Sequence, residues 1–248
     1  MFPIRDSIPR VHKPWAVWSI LLLNIAVFML QQGMTEQMLV SFLHLYGVVP
    51  ARFTSPEWAL FAGYPRGGYI AFLTHMFIHG GWLHIIANMW TLWIFADNIE
   101  DVMGPVRFVL FYLACGLSAT VVHILFNADS TIPVVGASGA IAGVMGAYLL
   151  LYPHAKVFTL IPVLFFPLFF ELPAAIYLGI WFLTQFFSGV TSIVAPQQGG
   201  GIAWWAHLGG FAAGIVLLPY FRRNDRCYFC YRPDPARRTA VVEPPRRG

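Results

Sequence analysis

Charge is scarce in this chain. Asp, Glu, Lys and Arg make up 10% of the 248 residues, apolar residues make up 58%, and mean hydropathy is +0.66. A soluble domain carries about 25% charged residues, so this composition excludes one and indicates a chain that crosses a membrane several times. Short alternating segments of the β-barrel type are lacking as well, which favours helical spans. Cysteine is nearly absent. Cys115 lies inside an apolar run, and Cys227 with Cys230 makes a single C-x-x-C. That excludes a disulfide framework and leaves half of a zinc site, with no second Cys or His pair after it. The eleven carboxylates fall in loops, tails or the inner ends of apolar runs, which counts against a proton-coupled transporter. The N-terminus, "MFPIRDSIPRVHKPW", has no apolar core followed by a small-residue cleavage site, so no cleaved signal peptide is expected; the lack of a transit peptide directs the expectation to a prokaryotic plasma membrane.

What the chain does have is aromatic residues, at 17%, with Trp15, Trp82, Trp204 and Trp205 at the ends of apolar runs, where an amphipathic ring suits the headgroup level. A bilayer core needs about 20 apolar residues per helix. Runs approaching that length are Trp15 to Leu30, Trp82 to Ala96, Val106 to Phe126, Val135 to Tyr152, Leu172 to Val190 and Trp204 to Phe221. The expected fold is therefore an all-α membrane protein, a bundle of six transmembrane helices. Residues 1–14 form a cytoplasmic N-terminal segment, 15–221 the bundle, and 222–248 a basic, disordered cytoplasmic tail. Gln31 to Gly81 reads as a long, partly embedded first loop, because its aromatics would be poorly solvated in open water.

The stretch "AKVFTLIPVLFFPLFFELP" is apolar enough to span but carries Pro162, Pro167 and Pro173. Six spans put all Lys and Arg except Arg52 and Arg66 on one side. A seventh would move the eight tail arginines across, against the positive-inside tendency. Residues 155–171 are accordingly expected to be interfacial or re-entrant, with both termini cytoplasmic. The net charge of +4 follows from this topology, so lipid is the expected partner and nucleic acid is not.

Polar groups within spans are costly and need a partner or a task. Counted from the outer breakers, Ser138 is five residues past Pro133, His207 six past Gly201, and His84 and Asn88 three and seven past Gly81. At ~1.5 Å per residue all four lie roughly 5 to 10 Å deep. The layer could be structural, each hydrogen bond holding helices together by ~1 kcal/mol. It could equally be chemical. Gly139 and Gly143, with Gly210 and Gly214, form small-xxx-small faces that would bring Ser138 and His207 together. A serine beside a neutral histidine is a nucleophile beside its base. His84 and Asn88, four apart on one helix face, together with the Ser138 N–H, could then hold an oxyanion. No third acid is apparent, so a Ser–His dyad is expected, and "GASGA" lacks the G-x-S-x-G pattern of a nucleophile elbow.

In order, "THMFIHGGWLHIIANMW", "GASGAIAGVMGAY" and "AHLGGFAAG" resemble the second-helix, serine and histidine motifs of the rhomboid family of intramembrane serine proteases, over roughly residues 65 to 220. The resemblance implies a six-helix bundle with a cavity open to the outside. It also implies Ser138 as nucleophile, His207 as base, His84 and Asn88 as oxyanion stabilisers, and single-span transmembrane proteins as substrates, with no cofactor or metal. Two positions depart from the pattern. Ala142 replaces an aromatic that often packs on the histidine ring, and Ile70 and Ala71 replace a Trp-Arg pair of the first loop. His79 and His75 read as structural residues, since Met76 stands where an H-E-x-x-H metalloprotease needs its glutamate. The connector "QQGGGIAWW" is expected to act as a mobile cap over the site. The rival expectations are a catalytically silent relative that binds membrane helices and, more distantly, a channel or transporter lined by the same polar layer.

Overall fold

The computed structural model describes residues 1–163, 166–194 and 203–231. Strand β1 (Phe2–Asp6) leads into helix α1 (Trp15–Gln32), after which the chain folds into the short helices α2 (Glu36–Tyr46), α3 (Pro50–Thr54), α4 (Pro56–Phe61) and α5 (Ala71–Thr74). The long helices α6 (Trp82–Met103) and α7 (Pro105–Phe126) follow, then α8 (Ser138–Leu151), a hairpin of β2 (Lys156–Val163) and β3 (Phe166–Pro173), and finally α9 (Ala174–Val194) and α10 (Trp204–Phe221). Four of these helices, α1, α7, α9 and α10, are long and apolar enough to cross a bilayer. Helix α6 has 22 residues but ends in Asp97, Glu100 and Asp101. Helix α8 has 14, a rise of only about 21 Å.

The shortest of the major helices is also the most enclosed: every residue of α8 from Gly139 to Tyr148 is buried. Glycine makes this possible. A Cβ built on Gly214 would lie 1.9 Å from the Gly143 carbonyl oxygen, and one on Gly210 would lie 1.9 Å from that of Gly139. On the other side of α8, a Cβ on Gly143 would meet Cys115 Cβ at 2.4 Å and one on Gly139 would meet Ala119 Cβ at 2.6 Å. Helix α10 thus closes on α8 at backbone contact, and on the other side α7 presses the short side chains of Cys115 and Ala119 against the α8 glycines. Each glycine gives up ~1 kcal/mol of helix propensity relative to alanine, which the dispersion contacts of this close approach offset.

The acids that end α6 have a structural use. Helix α1 begins after Pro14 without a side-chain cap of its own. The N–H groups of Ala16 and Val17 donate instead to Glu100, at 3.1 and 2.9 Å. Asp101 accepts from the N–H groups of Val11 (2.6 Å) and His12 (2.8 Å). Glu100, from a distant helix, therefore satisfies orphan donors at the start of α1, where the helix dipole also favours negative charge, while Asp101 holds the segment leading into it.

The all-α expectation is corrected. Residues 155–171, expected to be interfacial or re-entrant, supply an antiparallel hairpin, to which the N-terminal segment adds a third strand in the order β1-β2-β3. Phe2 pairs with Leu160 and Asp6 with Val157, while β2 and β3 register from Lys156↔Pro173 to Val163↔Phe166. Hydropathy alone cannot separate such a pair from a broken helix. The β-branched and aromatic residues of "KVFTLIPV" and "FPLFFELP" favour the extended form, and Pro162 and Pro167 face each other close to the hairpin tip, where few ladder bonds are lost. The expectation of a disordered tail is corrected for its first ten residues. Arg223 N–H donates to Val102 O at 3.2 Å, Tyr231 N–H to Leu151 O at 2.7 Å, and Cys227 and Cys230 are joined by a disulfide rather than offering thiolates to zinc. The remainder, 232–248, lies outside the described residues, as do residues 197–202 of the expected cap, 197–205.

Strand β1 is tied to the central helix by a short hydrogen bond from Tyr148 Oη to Asp6 Oδ2. Burial pushes the Asp6 carboxyl from its ordinary 3.8 up to about 6, with the Tyr148 bond opposing the shift. A raised carboxyl favours folding in its protonated form, so its contribution is complete below the ordinary value and is lost as pH rises through about 6. Thermal stability in detergent should therefore fall between pH 4 and pH 7 by up to about 3 kcal/mol through this group. Asp6→Asn should remove that part of the pH dependence; an identical profile in the variant would exclude Asp6 as its source.

Candidate active site

Ser138 is the first residue of α8, and the approach to it is shaped by Gly136, whose φ of +127° lies in a region L side chains rarely adopt. The Gly136 N–H donates to His75 O at 2.8 Å, anchoring the turn. His75 is itself held at both ring nitrogens, Nδ1 to Ala71 O (2.9 Å) and Nε2 to Thr120 Oγ1 (2.8 Å). His207 projects from the first turns of α10, and its Nε2 lies 2.8 Å from Ser138 Oγ. The glycine contacts between α8 and α10 set this distance: with the two backbones touching one turn further on, a hydroxyl and an imidazole span the remaining gap.

His84 and Asn88, on one face of α6, converge on the same turn. A Cβ at Gly136 would stand 2.7 Å from His84 Nε2 and 3.7 Å from Asn88 Nδ2, so the glycine leaves open a space that both side chains border. Asn88 Nδ2 is buried with no hydrogen-bond partner. His84 Nδ1 accepts from Gly80 N–H at 3.3 Å, which leaves its Nε2 to carry the proton. Two side-chain donors therefore converge on the turn that carries Ser138, whose own N–H stands at the start of α8, where helix N–H groups lack intrahelical partners.

A family model described as "Rhomboid domain" matches residues 66–224, which takes in all of these side chains. The chain belongs to the rhomboid family. It is 29% identical over 158 residues to the mitochondrial presenilin-associated rhomboid-like protein of Bos taurus, covering 60% of this chain and 37% of that protein. It is 24% identical over 220 residues to mitochondrial Rhomboid protein 1 of Saccharomyces cerevisiae, covering 86% of this chain and 55% of that protein. To the mitochondrial RHOMBOID-like protein 6 of Arabidopsis thaliana it is 39% identical over 77 residues, 31% of this chain and 24% of the relative. The match thus spans between a quarter and about half of the length of these relatives. All three carry mitochondrial names, so they give no support to the expected prokaryotic plasma membrane; what stands is an integral membrane protein with apolar helices.

Within this rhomboid fold the remaining histidines are placed differently from one another. Among the described residues no three His, Cys, Asp or Glu side chains could hold a metal ion. His79 joins its loop to α1 through its backbone, while its ring packs edge-on against His84 of α6, with centroids 5.1 Å apart. Its N–H donates to Gln31 Oε1 (3.1 Å) and its carbonyl accepts from Gln31 Nε2 (2.9 Å), while both ring nitrogens stay unpartnered. At the position of the missing aromatic, Ala142 is fully buried. The His207 ring is flanked instead by Trp181 and Trp204, with centroids at 6.0 and 6.2 Å.

One polar neighbour escaped the sequence reading. Gln185 of α9 is buried and places Oε1 2.7 Å from His207 Nδ1. The available signal was a lone amide in the apolar stretch "WFLTQFFSG", which is costly unless partnered.

Proposed function

We propose that the chain is an intramembrane serine endopeptidase that cuts single-span membrane proteins within or near their spans. The observation that carries this reading is the 2.8 Å approach of His207 Nε2 to Ser138 Oγ beside the unpartnered amide of Asn88. In the proposed topology α6 and α8 join the four long apolar helices as spans, making six. Both described chain ends fit it, since Asp6 meets Tyr148 and Tyr231 meets Leu151 at the same end of α8, as an even number of spans requires.

The chemistry follows from the groups present. Ser138 Oγ attacks the scissile carbonyl carbon as its proton passes to His207 Nε2. The carbonyl oxygen, now an oxyanion, takes hydrogen bonds from His84 Nε2–H, Asn88 Nδ2–H and the Ser138 N–H. Collapse breaks the C–N bond, the imidazolium returns the proton to the leaving amine, and an acyl ester remains on Ser138. Water, deprotonated by the same imidazole, then hydrolyses the ester and regenerates the hydroxyl. No cofactor enters these steps. A neighbouring span offers its peptide bonds only where its own helix unwinds, because a helical carbonyl is already occupied by its i+4 N–H.

Labelling of the detergent-solubilised protein by a fluorophosphonate probe tests the reading. The parent should label covalently at Ser138, located by mass spectrometry of the adduct. A folded parent that does not label would count against the protease reading and favour a silent relative, to be tested by its binding of membrane helices without cleavage.

A further inference from the structure

We propose that Gln185 is a positioning residue for His207, and that with Thr184 it forms a hydrogen-bond relay whose direction selects the imidazole tautomer able to accept the serine proton. This rests on the protease reading of Ser138 and His207.

Direction can be read from the far end of the relay. The Trp181 backbone carbonyl can only accept. Thr184 Oγ1–H donates to it at 2.6 Å, which spends the single hydroxyl proton and leaves the oxygen lone pairs of Thr184 for Gln185. Gln185 Nε2–H donates to that oxygen at 3.1 Å. The amide nitrogen is thereby turned toward Thr184 and the amide oxygen toward His207. Gln185 Oε1 at 2.7 Å must then accept from Nδ1–H, so a neutral ring carries its proton on Nδ1 and keeps the lone pair of Nε2. That lone pair faces Ser138 Oγ at 2.8 Å.

The reverse arrangement is unproductive. If the amide turned end for end, its nitrogen would donate to Nδ1 and the ring proton would move to Nε2, which would donate to Ser138 and have no room for its proton. The sequence has no acid to make this choice, and a carboxylate at a site this buried would carry a large desolvation penalty. A neutral amide orients the ring without that charge, as Asn does in some Cys–His sites. Because Gln185 belongs to α9 while Ser138 and His207 belong to α8 and α10, the relay also makes the base depend on where α9 sits.

The test uses the full chain in detergent and two readouts: saturating fluorophosphonate labelling rate against half-saturating probe concentration, and nitrogen NMR of the His207 ring. Gln185→Met, close in shape but without the acceptor, should lower the saturating rate by about 10- to 100-fold with half-saturation little changed, the scale of one buried hydrogen bond. It should also move the His207 ring nitrogens from the Nδ1–H form to a mixture of tautomers. Thr184→Val should cost less than Gln185→Met, by roughly threefold to tenfold, because it frees the amide to flip without deleting it. A parent rate together with unchanged ring signals in Gln185→Met would overturn the proposal. If that variant fails to fold, the same result in Thr184→Val would overturn the directed relay. A parent that never labels would defeat the protease reading alone: the ring signals still report whether Gln185 holds the tautomer, a change supporting the proposal and no change overturning it.

Discussion

Ser138→Ala is expected to reduce cleavage by about 10⁴-fold or more, and His207→Ala by a similar factor, with the double variant scarcely worse than either, because a nucleophile and its base act as one unit. On the proposed mechanism this outcome follows from the geometry. With Oγ at 2.8 Å from Nε2, each group is useless to the reaction without the other. A serine hydroxyl whose proton has no acceptor is a weak nucleophile, and an imidazole without the serine has only water to activate. The fold should survive both changes. Ser138→Ala loses one partly buried hydrogen bond, about 1 kcal/mol, whereas His207→Ala loses two, to Ser138 and Gln185, and the packing of its ring beside Trp181 and Trp204, roughly 2–4 kcal/mol, so thermal unfolding in detergent should fall by a few degrees in the first and by more in the second. Retained labelling or cleavage in either folded single variant would remove the pair from the chemistry. Additive losses in the double variant would mean that the two residues act in separate steps.

The largest effect on stability is expected from the smallest substitution. Gly214→Ala places a methyl group 1.9 Å from the Gly143 carbonyl oxygen, and Gly210→Ala does the same to Gly139. No side chain can move aside, since the obstacle is backbone, so α10 must shift away from α8 by more than an ångström. The loss of packing along the contact should cost about 2–4 kcal/mol, which intrinsic propensity, favouring alanine by ~1 kcal/mol, does not recover. The same shift would open the Ser138–His207 distance and abolish labelling even below the unfolding temperature. Gly179→Ala in α9 serves as the comparison: a Cβ there meets nothing within 4 Å, so this variant should be neutral or slightly more stable. If Gly214→Ala unfolds at the parent temperature, the close approach of α8 and α10 does not hold in solution.

The candidate site residues stood out in the sequence because each is anomalous where it stands. A serine among glycines, a histidine beside Gly209 and Gly210, and a His-x-x-x-Asn pair all sit in apolar runs where a polar group needs a reason. Helix positions were legible for the same kind of reason: each of the six apolar runs became a helix, α1 and α10 starting at the residues where their runs begin, Trp15 and Trp204. The hairpin of β2 and β3 was not legible, because prolines in an apolar stretch mark a broken helix and an extended pair alike, and the choice is made by β1, more than 150 residues away, which supplies the third strand. Glu100 and Asp101 looked like the polar end of a span, and their use, Glu100 as a cap for α1 and Asp101 as a hold on the segment before it, appears only when that distant stretch is set against them.

By itself, then, the sequence determined that the chain enters a membrane, where its six longest helices lie, though not the short α2 to α5, and which polar side chains stand in the first turns of those helices, since these depend on composition and spacing along a single helix. Only the tertiary structure decided which of those side chains touch. The 2.8 Å approach of Ser138 to His207, the opening that Gly136 leaves between His84 and Asn88, and the hold of Gln185 on His207 all depend on how closely separate helices pack. That closeness is set by backbone contact at a few glycines, whose missing side chains a sequence displays without saying what fills the space.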